Sequence, residues 1–131
     1  MSLRCLQPDT LAAPGGHYSP VVVASGFVHV AGQLPIDAQG GKLGDAPFEV
    51  QARQVLANIQ AALLAAGSTP QRLVQVRVYL ADIGHWGAFN ALYAEWLGAH
   101  RPARAVVPVP ALPFGFLIEA EAVALVGEIA P

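Results

Sequence analysis

The chain has 131 residues, of which 54% are hydrophobic and only 12% are charged. Its net charge of −2 and pI near 6.0 exclude a protein that binds nucleic acid through a basic surface, because no stripe of Lys and Arg is present to neutralise phosphates. The single cysteine, Cys5, excludes an internal disulfide and a thiolate metal site, and it is typical of a reducing cytoplasm. We expect one cytoplasmic domain over residues 1–131, with enough excess apolar surface to self-associate.

The first third of the chain predicts strands, and residues 1–19 indicate a short first strand followed by a loop. Val21 to Ala31 then contains two β-branched runs joined at Ser25-Gly26, the pattern of a hairpin. Gly32 follows the second run closely, where a missing side chain lets another group approach the backbone. No charged residue occurs over residues 10–36, but prolines and glycines interrupt this run, so we do not interpret it as a membrane span.

A first helix is predicted between Pro47 and Gly67. Pro47 and Glu49 are typical of a first helical turn, and Gly67 is typical of a left-handed cap. Apolar residues in between recur at intervals of three and four, which predicts one buried stripe. Its members are Ala52, Val55, Leu56, Ile59, Leu63 and Ala66.

A strand and a second helix are predicted next. Residues 73–80 alternate, and one predicted face carries Val74, Val76, Val78 and Leu80. Asp82 is a candidate cap for the second helix. The residues that this helix is expected to bury are Trp86, Phe89, Tyr93 and either Trp96 or Leu97.

Two further strands end the predicted fold. Arg104 begins the first of them, and Pro108 and Pro110 remove N–H groups from one side of it, which predicts a sheet edge or an interface. The second carries Glu119 and Glu121 on one face. The order ββ–α–β–α–ββ therefore predicts an α+β fold, a single mixed sheet with both helices on one face.

Four kinds of residue are candidates for a site. A guanidinium is a planar fork that matches a carboxylate, and Arg104 is either such a ligand or a surface arginine. Either Glu119 or Glu121 is able to hold a water, or both simply face solvent. Asn90 lies on the apolar stripe of its helix, and its amide either pins a loop or reaches a pocket. Tyr18 is either a mobile lid or a core residue.

Other common catalytic patterns are absent from the sequence. The four histidines show no metal-ligand spacing, so we expect no metal site. There is no G-x-S-x-G motif, no phosphate-binding loop and no dinucleotide fingerprint. A serine hydrolase and a nucleotide-dependent enzyme are therefore unsupported.

Several segments carry a wider similarity: Gly32-Gln-Leu-Pro, Asn58-Ile-Gln-Ala-Ala-Leu-Leu-Ala-Ala-Gly-Ser, Val76-Arg-Val-Tyr-Leu-Ala-Asp, Phe89-Asn-Ala-Leu-Tyr, Arg101-Pro-Ala-Arg and Ile118-Glu-Ala-Glu-Ala. Together they resemble the Rid (YjgF-type) family of reactive-intermediate deaminases, from about Tyr18 to Leu125. The resemblance implies a chorismate-mutase-like α+β fold, assembled as a homotrimer with clefts between subunits. It also implies hydrolysis of 2-imino acids or their enamine tautomers, such as 2-aminoacrylate, to 2-keto acids and ammonia without a cofactor.

The resemblance also assigns roles to individual residues. The arginine that clamps the substrate carboxylate matches Arg104, and the glutamate that positions the attacking water matches Glu119 and not Glu121. The pocket tyrosine, glycine and asparagine of the family match Tyr18, Gly32 and Asn90.

Two places depart from the family pattern. Val106 lies where many members carry a cysteine, so a backbone contact to substrate is expected there but no thiol chemistry. The segment between Asn90 and Arg104 is a few residues shorter than in the best-known members. Both departures bear on which imine is the substrate.

Two other functions are compatible with this fold. One is a module that binds small carboxylates without turnover, which would need Arg104 but tolerate the loss of the Glu119 carboxylate. The other is the endoribonuclease role of some relatives, which an acidic chain with few charges does not favour.

Overall fold

A computed structural model describes residues 2–127. The strands are β1 (Leu3–Leu6), β2 (Val21–Ala24), β3 (Phe27–Gln33), β4 (Leu73–Leu80), β5 (Ala103–Pro108) and β6 (Ile118–Leu125). The helices are α1 (Phe48–Ala65) and α2 (Trp86–Leu97). Within this range, no helix combines the length and the apolar character needed to cross a membrane.

The strands form one six-stranded sheet in the order β1-β2-β3-β6-β4-β5. Only the β4–β5 pair is parallel, so the sheet is mixed. Helix α1 packs against β3 and β6, and α2 packs against α1. The predicted α+β fold, a single mixed sheet with both helices on one face, is confirmed.

The hairpin predicted at Ser25-Gly26 joins β2 to β3. Both turn residues have positive φ, 52° at Ser25 and 81° at Gly26, the combination that matches the right-handed twist of two paired strands. Ala24 and Phe27 are direct partners across the turn. The turn residues therefore set the register of the first half of the sheet.

The core lies between α1, α2 and the sheet. All the residues of the predicted α1 stripe are buried, and Gly67 follows the helix with φ +80°. Gln51 is also fully buried. Its amide donates to the carbonyls of Gly44 and Ala46, and its side-chain oxygen accepts from the Leu117 N–H at 2.9 Å. This buried amide fastens the loop before α1 to the start of β6.

The predicted inward face of β4 is wrong at one position. Val74 is 41% exposed, whereas Leu73 is buried. The reason is an irregularity in the β4–β6 register between Leu73 and Gln75. One extra residue on a strand reverses which side chains face the core. The alternating pattern within one strand does not reveal such an extra residue, because it depends on pairing with the neighbouring strand.

The start of α2 also differs from the prediction. Asp82 accepts from the Gly84 N–H and caps a short 3-10 turn, Ile83–His85, and α2 begins only at Trp86. Phe89 and Tyr93 are buried as expected, but Trp86 is 42% exposed. It lies in the first turn of α2, beside Arg104 of the edge strand β5, and among residues 2–127 no further strand lies beyond that edge to cover it.

Strand β5 is the edge of the sheet, as its prolines predicted. It pairs only with β4, and its last residue, Pro108, lies opposite Leu80. On β6, Ile118 and Ala120 are buried against the helices, and Glu119 and Glu121 lie on the other face. Both candidate acids thus face away from the helical layer.

Candidate functional site

Arg104 lies on the helical side of the sheet. It pairs in register with Val76, which is fully buried beneath the helices. Its Nη1 donates a hydrogen bond of 2.9 Å to the Oδ1 of Asn90, on α2. Of the two interpretations of Asn90, the structure therefore favours the pocket: its amide holds the arginine.

Three aromatic rings of α2 surround the Arg104 guanidinium. Its Cζ lies 5.0 Å from the ring centre of Tyr93, 5.4 Å from that of Trp86 and 6.0 Å from that of Phe89. Such contacts attract a cation electrostatically and restrict its orientation. Sequence reasoning assigned these rings to the core alone. The signal that was missed is their position, on a helix packed over the strand that carries the arginine.

The guanidinium opens into a cleft of about 430 Å³, which we call the arginine cleft. Its lining includes Asn90, Tyr93, Arg101 and Arg104. Within residues 2–127, the hydrogen bond to Asn90 uses one N–H group of the Arg104 fork. The other N–H groups are therefore available to a planar anion.

The Tyr93 hydroxyl adds no negative charge to the arginine cleft. Burial raises the pKa of its hydroxyl to about 12, although the nearby Arg104 opposes that rise. The hydroxyl is buried and has no hydrogen-bond partner among the described residues. The Tyr93 ring beside the guanidinium is therefore neutral over the whole physiological pH range and supplies no counter-charge.

Glu119 lies against Gly32, on the side of the sheet away from the helices. A Cβ built on Gly32 would overlap the Glu119 carboxylate, so only glycine permits this contact. Burial, and to a smaller extent the charge of Glu121, raise the pKa of the Glu119 carboxyl. A raised pKa is the usual means by which a carboxyl group is adapted to proton transfer near neutral pH.

Glu121 is engaged elsewhere. It accepts a hydrogen bond of 2.6 Å from the Tyr79 hydroxyl and lies 3.8 Å from the Arg77 guanidinium. The hydrogen bond to Glu121 is also the main reason why the pKa of Tyr79 is raised. By contrast, Glu119 has no hydrogen-bond or ion-pair partner among residues 2–127. Of the two acids, Glu119 is the one whose carboxylate is not held by another side chain among the described residues.

Tyr18 and Gly32 line a second cleft, of about 210 Å³. Tyr18 is 52% exposed, so it is not a core residue. The expected lid role stays a prediction. The predicted site residues thus fall into two parts of the molecule. One part contains Tyr18, Gly32 and Glu119, and the other contains Asn90 and Arg104.

Within one chain, these two parts lie on opposite faces of the sheet. Arg104 pairs with Val76, which points towards the helices, and Glu119 pairs with Tyr79, three residues further along β4 and on the other face. Val106 pairs with Val78 and so shares the face of Arg104. Within one chain, the sheet itself therefore separates Arg104 from Glu119.

The described residues offer no place for a metal ion. Among residues 2–127, no three His, Cys, Asp or Glu side chains converge in a way that could hold one. The arginine cleft presents the Arg104 guanidinium and the Asn90 amide, and the second cleft presents the Tyr18 phenol. The Glu119 carboxylate lies against Gly32, in the wall of the second cleft. That set suits recognition of a small carboxylate and proton transfer to or from water.

Comparisons with known proteins place the chain in a family. Residues 10–126 match the family described as Endoribonuclease L-PSP. A RutC family protein of Pyrococcus horikoshii is 43% identical over 111 residues, which cover 85% of this chain and 88% of the relative. The human protein named 2-iminobutanoate/2-iminopropanoate deaminase is 37% identical over 123 residues, covering 92% of this chain and 90% of the relative.

Solved structures agree with the sequence relatives. A Yersinia pestis protein of the conserved Rid family superposes with a TM-score of 0.91 at 33% identity, covering 95% of this chain and 100% of that one. The YjgF gene product of E. coli superposes with a TM-score of 0.87 at 30% identity, covering 93% and 98%. The chain therefore belongs to the Endoribonuclease L-PSP family, the Rid and RutC proteins that its sequence motifs resemble.

Proposed function

We propose that this protein hydrolyses reactive 2-imino acids, or enamine tautomers such as 2-aminoacrylate, to 2-keto acids and ammonia. The observation that carries the proposal is the Arg104 guanidinium, oriented by Asn90 and by aromatic rings, with most of its N–H groups unused among residues 2–127. Such a fork binds a carboxylate through two parallel hydrogen bonds. The deaminase name of the human relative supports the same reaction class.

The proposed reaction needs positioning and one acid–base group. Arg104 binds the carboxylate and so fixes the neighbouring imine carbon. Glu119 accepts a proton from a water as the water oxygen attacks that carbon, and then returns the proton to the nitrogen. The hydroxyl group of the resulting tetrahedral intermediate then passes its own proton to the nitrogen through Glu119. The carbon–nitrogen bond breaks, ammonia leaves, and the oxygen from water becomes the carbonyl oxygen of the 2-keto acid.

We further propose that the site forms between subunits of a cytoplasmic homotrimer. Since one chain holds Arg104 and Glu119 on opposite faces of its sheet, a site that uses both requires Arg104 from one copy and Glu119 from another. The sheet face away from the helices also exposes apolar side chains, including Phe27, Val74 and Val107. Contact with a second copy would remove this surface from water.

The direct test is release of 2-keto acid or ammonia, with imino acids generated in place by an amino-acid oxidase. We expect the wild-type protein to accelerate release above the rate without it. If no imine is hydrolysed faster than that rate but 2-keto acids still bind, the protein is the alternative, a carboxylate-binding module without turnover. RNA cleavage whose binding step weakens steeply with salt would instead support the endoribonuclease role.

The pH dependence of the reaction is a separate prediction. If Glu119 acts as a base, activity falls as the pH drops through the raised pKa of its carboxyl group. Burial accounts for the larger part of that rise, and the charge of Glu121 adds to it. Glu121→Gln removes the like charge, so we expect the acidic limb of the pH–activity profile to move to lower pH. Because burial still raises the pKa of the Glu119 carboxyl, the limb should remain above the pH at which an ordinary carboxyl group titrates.

The pH prediction is checked by measuring kcat/KM against pH for the wild type and Glu121→Gln. The matched control is Glu95→Gln, which removes an exposed charge from α2. An acidic limb that stays in place, or moves to higher pH, in Glu121→Gln would contradict the role of Glu119 as the titrating base.

A further inference from the structure

Most of the side chains that line the cleft beside Gly32 are apolar, although polar groups of Gln33, Lys42 and Asn58 also lie in its wall. We call it the apolar cleft, and its main walls are Leu11, Pro14, Tyr18, Leu34 and Phe114. Its volume is about 210 Å³, and a cavity of about 150 Å³ already holds a benzene molecule. The apolar cleft is therefore large enough for a phenyl or branched aliphatic group.

The two amide side chains in its wall are engaged in hydrogen bonds. The Asn58 amide donates to the carbonyls of Leu34 and Ile36 and accepts from Gln54. The side chain of Gln33 donates to the carbonyl of Ala31. No Asp or Glu lines the cleft, and its one charge is the Lys42 ammonium. The apolar cleft thus matches an uncharged, apolar group and disfavours a cationic one.

Phe114 is held in an unusual conformation at the rim of this cleft. It has φ +57°, a left-handed value that non-glycine residues adopt at a cost, and its side chain is 67% exposed. Two contacts orient the ring: an edge-on contact with Phe116, at 5.7 Å between ring centres, and the Lys42 ammonium, 4.8 Å from its centre. Strained residues of this kind are concentrated at ligand sites, which points to a ligand for the exposed ring.

Gly32 connects the apolar cleft to the proposed chemistry. It lines the cleft, and the Glu119 carboxylate lies against it. A carbon attacked by water held at Glu119 would therefore lie beside Gly32, next to this wall of the cleft. The substituent on that carbon is the amino-acid side chain of the substrate.

We propose that the apolar cleft receives the substrate side chain, so that imines of large apolar or aromatic amino acids are preferred over 2-aminoacrylate and the alanine imine. This inference rests on the proposed function. Phe114 is its specificity-determining residue, because it supplies the exposed aromatic wall. A substrate with a one-carbon side chain does not reach that wall, and a cationic side chain is repelled by Lys42.

The test compares kcat/KM for imines generated from alanine, leucine, phenylalanine and lysine. We expect the leucine and phenylalanine imines to exceed the alanine imine by about 10-fold to 100-fold, as hydrophobic pockets discriminate by side-chain size. The lysine imine should be the poorest of the long substrates. Equal or higher values for the alanine imine would overturn the proposal.

Phe114→Gly isolates the role of the ring. Glycine adopts φ +57° without strain, so thermal unfolding should occur at the same or a higher temperature. We expect this variant to lower the phenylalanine-to-alanine preference at least 10-fold, whereas Leu64→Ala, which removes an exposed apolar residue of α1 outside the cleft, should retain it. An equal loss for both substrates in Phe114→Gly would show that Phe114 does not select the side chain.

Binding of the keto-acid products separates this inference from the proposed function. Calorimetry with phenylpyruvate and pyruvate needs no turnover. If no imine is hydrolysed but phenylpyruvate binds more tightly, and Phe114→Gly removes the difference, the deaminase fails while the cleft assignment stands. If imines are hydrolysed but pyruvate binds as tightly as phenylpyruvate, the deaminase stands and the cleft assignment fails.

Discussion

Arg104→Ala should abolish the acceleration of imine hydrolysis and leave the assembly intact. Two charge-assisted hydrogen bonds to the substrate carboxylate are lost together, which corresponds to about 4 kcal/mol or roughly 10³-fold in kcat/KM. The fold should tolerate the change because Arg104 lies on the edge strand and is only half-buried. The measurements are 2-keto acid release and the molar mass of the variant in solution.

Two control variants accompany Arg104→Ala: one separates the shape of the guanidinium from its charge, and the other removes an arginine outside the proposed site. Arg104→Lys keeps the positive charge but loses the planar fork, so most of the acceleration should still be lost. Arg53→Ala removes a surface arginine that pairs with Glu49 on α1, and its activity should match the wild type. Full activity in Arg104→Ala would rule out the carboxylate clamp and with it the proposed mechanism of catalysis.

Glu119→Gln is expected to lower kcat by about 10³-fold, because a general base typically contributes 10²–10⁴-fold. Glutamine has nearly the same shape and still fits against Gly32, so the cleft should be preserved. KM should change little, because the substrate carboxylate is bound by Arg104 and not by Glu119. Steady-state kinetics on one imine would separate the effect on kcat from the effect on KM, and an unchanged kcat would show that Glu119 is not the general base.

Mixing the two inactive variants tests whether the site is shared between copies. In a mixed oligomer, a site that takes Arg104 from a Glu119→Gln subunit and Glu119 from an Arg104→Ala subunit is complete. Random assembly of equal amounts should therefore restore about a quarter of the wild-type activity. No recovery, in oligomers shown by mass to be mixed, would place both residues of each site in the same subunit.

The sequence by itself determined most of the local structure. Ser25-Gly26 predicted the hairpin, because few residues adopt two successive positive φ values. The stripe along α1 predicted its buried face, and Pro108 predicted an edge strand because proline cannot donate to a neighbour. Gly32 was predicted to allow a close approach, and the Glu119 carboxylate lies against it. Each of these inferences depends on the residue itself or on neighbours within a few positions.

The relation between the two halves of the proposed site was decided only by the tertiary structure. Alternation shows which residues of one strand share a face, but not which face of the sheet that is. Arg104 and Glu119 are separated by the sheet because β4 pairs with β5 on one side and β6 on the other, in registers set by packing between distant parts of the chain. The exposure of Trp86 beside Arg104 and the left-handed Phe114 likewise depend on contacts that no local pattern encodes.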